Sequence, residues 1–241
     1  IIPSRYASTR FPAKSLALIN GKSMVQRVYE QAQQSSALNE VIIATDHQEI
    51  YDHARKFGAM VCMTKPGHAS GTDRCHEAIS LQRRKYDYVI NIQGDEPFIQ
   101  PDQIDLLPRR LDGITEIATL VKLLQSTEQL FDPNIVKVVF NDMMEALYFS
   151  RSPIPHIRNT KEQEWMTKHK FYKHIGMYAY RSDILERLHR LSVSSLEKAE
   201  SLEQLRWLEN GFKISIAETA TETIGIDTPE DLEKAIQAFK K

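Results

Sequence analysis

Apolar residues open the chain as a pair, Ile1 and Ile2, and then give way to a polar, cationic stretch that runs to Lys14. The pair predicts the end of a strand and the stretch a loop. From Ser23 onward Met24, Val25, Val28, Tyr29 and Ala32 recur at helical spacing, with the serine hydroxyl as cap. A compact run, Val41-Ile42-Ile43-Ala44, predicts a buried strand closed by Thr45 and Asp46. Asp46 is expected to cap a second helix carrying Ile50, Ala54 and Phe57, which Gly58 ends. Residues 59–64 read as a strand, 65–72 as a loop, 73–84 as a helix and 86–92 as another strand. Short, nearly continuous apolar strands alternating with helices predict an α/β fold, a mainly parallel sheet covered on both faces.

The pattern changes in the middle. Ile117–Leu124, Ile135–Phe140 and Ala146–Ser150 are strand-like without long helices between them, and residues 151–170 break the rhythm. A strand-rich excursion over about 115–170 is therefore expected within a single domain spanning 1–241. His174–Tyr180 reads as a returning strand, followed by helices over 182–191 and 196–210 and a strand at 213–217. The last helix opens at Asp227-Thr-Pro-Glu-Asp, with Thr228 as cap and Pro229 in its favoured first position.

Composition narrows the partners. The 241 residues are 41% hydrophobic and 26% charged with a net charge of −1, so neither duplex nucleic acid nor an anionic membrane is expected as a partner. No apolar run is long enough to span a bilayer, and the start meets Pro3 and Arg5 at once, unlike a secretory signal. Cys62 and Cys75 make neither a metal-ligand spacing nor a disulfide framework, which suits a cytoplasmic protein.

Chemistry is then sought at the exits of the strands, where open α/β sheets bind ligands. Arg5, Arg10 and Lys14 share the first loop with Ser4, Ser8 and Thr9, a set suited to a polyanion such as a triphosphate. Asp95 follows a buried strand and Gly94, and is placed to hold a divalent cation, with Asp227 as a possible second carboxylate. A turn cap at Asp95 and simple helix initiation at Asp227 are the structural alternatives. Ser70-Gly71-Thr72-Asp73-Arg74 offers hydroxyls and an arginine at a helix start. His156 and His174 are candidate acid–base groups, although a strand histidine is more often a packing residue. Glu203 and Gln204 flank an apolar helical stripe and are expected at the surface.

These pieces occur together in one family. In order, Ile2–Lys14, Ala44-Thr-Asp46, His68–Arg74, Asn91-Ile-Gln-Gly-Asp-Glu-Pro97, Phe131–Asn134, Ala146–Arg151, His174-Ile-Gly176, Leu202–Arg206 and Gly225–Leu232 resemble the 3-deoxy-manno-octulosonate cytidylyltransferases, the CMP-Kdo synthetases of lipopolysaccharide biosynthesis. The resemblance implies a nucleotide-diphosphosugar transferase fold, CTP and Kdo as substrates, Mg2+ as cofactor, and a homodimer built through the strand-rich excursion. It further implies catalytic roles for Arg10, Lys14, Asp95 and Asp227. Arg5, Arg10, Lys14, Ser70, Thr72, Arg74 and Gln93 would hold the nucleotide, and Asp95 and Asp227 the metal. Gln93, Arg151, His174, Tyr178, Glu203 and Gln204 would contact the sugar acid. Phe11 and Ala13 stand where the family commonly has Leu and Gly; Ala13 adds a methyl group and narrows the accessible backbone angles of the first loop, and neither change removes a charged or metal-binding group.

Overall fold

The computed structural model describes residues 1–7, 11–222 and 225–238. The chain divides into two compact units, Ile1–Asp105 with Glu222–Lys241, and Leu106–Thr221.

In the first unit the strand Ile42–Thr45, with all four residues buried, lies at the centre of a parallel three-strand ladder with Ile2–Ser4 on one side and Met60–Met63 on the other. Ile2 pairs with Ile43, and Ile42 with Met60. Ile1 bonds to Ile90 O and to Ile92 N, the parallel pattern, so Tyr88–Asn91 runs beside the first strand in the same direction. The exits of these parallel strands therefore lie at one edge, and the loops holding Arg5, Asp46 and Asp95 are brought to that edge together.

The helices form largely for the expected local reasons. Ser23 caps Met24–Ala32 by accepting from Gln26 N, and Met24, Val25, Val28, Tyr29 and Ala32 face inward. The next helix, Gln48–Lys56, is capped by His47 rather than by Asp46, because both Asp46 oxygens are engaged elsewhere. It ends at Phe57 and Gly58, with Gly58 at φ +80°. Gly71–Ser80 begins two residues before the expected start because Ser70 caps it through Asp73 N. In the closing helix Pro229–Ala238, Thr228 accepts from Asp231 N at 3.2 Å as foreseen. Ile19, Met24, Ile226 and Ala235 form a buried cluster against which Phe11, Phe98 and Leu232 pack, so the segment before that helix is held by apolar burial. Burying Ile226 alone contributes about 1.5–3 kcal/mol.

The second unit holds a mixed sheet that includes Ile214–Glu218, Ile117–Leu123, Tyr172–Arg181, Lys137–Phe140 and Ala146–Ser150 in that order. Only the Ile214–Glu218 pairing with Ile117–Leu123 is parallel among these. Register shifts between Ile175 and Tyr178, and Thr119 fills the resulting bulge with its hydroxyl against the carbonyls of Ile175 and Met177. The expected helix over 196–210 is two helices, Ser195–Glu200 and Glu203–Glu209. They are separated where Ser201 takes φ 54° and Leu202 turns into the core. Among the described residues no helix is long and apolar enough to cross a membrane.

Candidate active site

At the common strand edge of the first unit is an open cavity of about 460 Å3, lined by Arg5, Lys14, Ser70, Arg74, Asp95 and Asp227 among others. That volume lies within the range of small-ligand sites. Arg10 lies outside the described residues.

Lys14 sits at the centre of the site's charge. Its ammonium donates to Asp95 Oδ2 at 2.7 Å, to Asp227 Oδ1 at 3.0 Å and to the carbonyl of Ile226 at 3.0 Å. The lysine side chain is 15% exposed, against 31% for Asp95 and 47% for Asp227. The ion pairs are thus partly screened by solvent and add little to stability, leaving the carboxylates open for exchange. What brings these residues together is backbone. Ile226 N donates to the carbonyl of Asp95 at 2.9 Å, which docks the 225–228 segment on the turn after Asn91. Ala13, in the left-handed region at φ 55°, precedes the single helical turn Lys14–Leu16 and directs Lys14 inward.

Gly94 packs closely against the first strand. A Cβ built there would lie 2.6 Å from the carbonyl oxygen of Pro3 and 3.1 Å from Ser4 Oγ. The glycine permits close approach of the first strand's backbone, and it also lines the cavity.

Two carboxylates and a backbone carbonyl reach one cationic atom, an all-oxygen donor set of the kind magnesium or calcium accepts. The lysine ammonium bridges these three oxygens. Among the described residues no group of three or more His, Cys, Asp or Glu forms a metal cluster, so a soft-metal or fully protein-caged site is not supported. The residues present fit a magnesium ion that completes its shell with water and phosphate oxygens.

The other nucleotide candidates divide. Ser70 and Gln93 line the cavity, while Thr72 is buried at 3% exposure and does not line it. Arg74 lines it too, but its guanidinium is committed to Asp46 Oδ2 at 2.8 Å and to Thr64 Oγ1 at 2.6 Å.

The sugar candidates all belong to the second unit, apart from Gln93. Arg151 is fixed by its Nε on the carbonyl of Glu200 at 2.7 Å and by Nη1 on Pro133 O at 3.0 Å. Its backbone amide donates to Glu200 Oε2 at 2.9 Å. Beneath it lies a residue that sequence reasoning missed. Lys137 is fully buried and donates to the carbonyls of Asp132, Ile135 and Arg151. Burial pushes its ammonium below the usual lysine range. Within a strand-like run, Ile135–Phe140, nothing marked this lysine as inward-facing; only its place opposite three carbonyls does.

His174 and Tyr178 come together across the bulge, their ring centres 5.2 Å apart. His174 Nε2 is 3.0 Å from Thr119 Oγ1. That hydroxyl donates its proton to a bulge carbonyl, 2.8 Å away at Met177, so it accepts from His174, which fixes the Nε2–H tautomer. Desolvation pushes the imidazole down to about 3, and burial raises the Tyr178 phenol well above its ordinary value. The histidine is therefore a neutral hydrogen-bonding group at neutral pH and is unsuited to proton transfer. Gln204 is buried at 6% exposure, contrary to the surface placement expected from the helical stripe. Gln204, Leu205, Arg206 and Trp207 are all buried, so a full turn of this short helix is covered and not a single stripe. Glu203 is held by Arg206 at 3.1 Å.

Comparison with known proteins places this geometry. The cytidylyltransferase family model matches residues 1–216. The 3-deoxy-manno-octulosonate cytidylyltransferase of Parabacteroides distasonis is 56% identical over 241 residues, covering 98% of this chain and 95% of the relative. That of Cytophaga hutchinsonii is 53% identical over 233 residues, covering 96% and 93%. A solved structure of CMP:2-keto-3-deoxy-manno-octonic acid synthetase complexed with CTP superposes with a TM-score of 0.92 at 42% identity, covering 99% of this chain and 96% of that one.

Proposed function

The chain belongs to the cytidylyltransferase family, and from that premise we propose that it transfers the cytidylyl group of CTP to 3-deoxy-D-manno-octulosonate, giving CMP-Kdo and pyrophosphate. The anomeric hydroxyl of the sugar acid attacks the α-phosphorus. A C–O–P link forms as the hydroxyl gives up its proton to solvent water, the bond to the β-phosphate oxygen breaks, and pyrophosphate carries away that electron pair. The product is an activated sugar for lipopolysaccharide assembly, made in the cytoplasm.

The observation that carries the reading is the convergence of Lys14, Asp95 and Asp227 at the mouth of a cavity bounded also by Arg5 and Ser70. In this reading Asp95 and Asp227 hold magnesium, which when bound neutralises phosphate charge and polarises the α-phosphate. Lys14 and Arg5, with Arg10, bind the triphosphate and stabilise charge on the departing pyrophosphate. Ser70, Arg74 and Gln93 bound the nucleotide pocket, with Thr72 in the same helical turn. Arg151 pairs with the sugar carboxylate, while neutral His174, Tyr178, Glu203 and Gln204 hydrogen-bond its hydroxyls. Among the described residues no side chain is assigned as general base, and the reading gives most of the acceleration to positioning and charge neutralisation.

A homodimer fits the second unit. Ala146–Ser150 is the last strand in its sheet order, and Leu147 and Met143 beside it are 60% and 68% exposed. Such an edge gains from being covered.

The test is pyrophosphate release from CTP and magnesium, with and without Kdo, beside N-acetylneuraminate and UTP controls. Release requiring both CTP and Kdo is expected, as is a sharp loss of turnover in a folded Asp95→Asn variant. Release with N-acetylneuraminate instead, or near-normal kinetics in Asp95→Asn, would refute the substrate or the metal assignment respectively.

A further inference from the structure

Asp46 ends the strand Ile42–Thr45 and does not line the cavity, yet its two oxygens face two parts of the site. Oδ2 accepts from Arg74 Nη2 at 2.8 Å, and Oδ1 accepts from the backbone N–H of Tyr6 at 3.2 Å. Tyr6 in turn accepts at its carbonyl from Ala13 N at 3.0 Å, so this one residue joins both stems of the first loop. Its ring lies flat on His47, centres 3.7 Å apart, which further ties it to the strand exit. Arg5 and Lys14 are the residues immediately outside this clip.

Arg74 supplies the fixed end. It is 3% exposed, sits on the helix capped by Ser70, and its second nitrogen donates to Thr64 Oγ1 at 2.6 Å. A buried guanidinium held from two sides leaves Asp46 little freedom to move. A carboxylate so held orients the Tyr6 amide, and with it the separation of Arg5 from Lys14.

We propose that Asp46 is a positioning residue for the triphosphate: through Arg74 and the Tyr6 amide it sets where Arg5 and Lys14 stand, and so governs CTP affinity without touching the nucleotide. The inference rests on the CTP reading and deepens the same site. Preorganising two cations on a loop spares the ligand the cost of ordering them.

Asp46→Asn is the discriminating variant. It keeps the shape but turns an NH2 group toward either Arg74 or the Tyr6 amide, both donors. The expected result is a rise of about tenfold in the KM for CTP, with the KM for Kdo within about twofold of the parent. Thr64→Val removes the other partner of Arg74 while keeping the Asp46 contacts with Arg74 and the Tyr6 amide; it should lower the melting temperature and raise the CTP KM by clearly less than Asp46→Asn does. If the two variants lose stability alike and both keep the parent CTP KM, Asp46 is only a structural anchor and the proposal is overturned. Should Asp46→Asn fail to fold, Asp46→Glu keeps the charge but moves it one methylene outward, and the same selective rise in CTP KM is expected. Calorimetric CTP binding on the same proteins separates the two readings. A parent that binds CTP but releases no pyrophosphate tells against the reaction, whereas unchanged CTP affinity in the Asp46 variants tells against Asp46.

Discussion

Replacing Gly94 by alanine tests how the site's geometry is set. The added Cβ would lie 2.6 Å from Pro3 O, and ordinary contact begins near 3.4 Å, so the two backbones must part by about 0.8 Å. Pro3 cannot yield freely, because its strand is paired with Ile42–Thr45 in register, Pro3 opposite Ala44. Overpacking of this kind costs about 1–3 kcal/mol. For a chain of this size that lowers the melting temperature by roughly 2–12 °C. Asp95 is the next residue, and a displacement approaching 1 Å at a group that positions a reacting phosphate costs up to about 100-fold in rate. The assay is thermal unfolding alongside pyrophosphate release, with Gly67→Ala as control, since a Cβ at Gly67 meets nothing within 4 Å. The control should melt within about 1 °C of the parent or slightly above it. A Gly94→Ala protein matching the parent in both melting temperature and kcat would refute the close-approach argument.

Two further outcomes follow from the backbone and from burial. Ala13 holds φ 55°, where a side chain costs about 1–2 kcal/mol that glycine avoids, partly offset by glycine's freedom when unfolded. Ala13→Gly should therefore raise the melting temperature by roughly 1–3 °C, and a fall would refute the strain. His174 should remain the neutral Nε2–H tautomer by nitrogen NMR from pH 8 to about 4, since its imidazole is pushed down to about 3 from 6.5. As pH falls below about 6.5 the unfolded chain takes up this proton first, so wild-type stability should decline between there and about 3 more steeply than that of His174→Asn; equal slopes would sink the assignment.

Much of the first unit was legible because its signals are local. Ser23 and Thr228 sit beside the amides they cap, and Ile42, Ile43 and Ala44 form an apolar run because both faces of their strand are covered. Asp46 was misread for a physical reason: a carboxylate before a helix usually caps it, but here Arg74 and the Tyr6 amide compete successfully for its oxygens. Gln204 was misread because a full turn of its short helix is buried and not a single stripe. Lys137 reads as an ordinary polar position, and only three carbonyls from the 132–135 turn and Arg151 explain its complete burial. The acids of the site were found as separate strand and helix exits; that one ammonium would join them was not readable from spacing.

The bond between Lys14 and Asp227 spans 213 residues, and the whole second unit is threaded between its partners. A ribosome makes Lys14 early and Asp227 only after residues 106–221 have emerged. For most of synthesis, then, the first unit waits without its Ile226 plug and with its acid pair half made. A chain broken off between residues 96 and 225 carries Lys14 and Asp95 but lacks Ile226 and Asp227, which complete their contacts. On the proposed reading of Asp227 these fragments lack one of the two carboxylates of the site, so none of them is expected to release pyrophosphate.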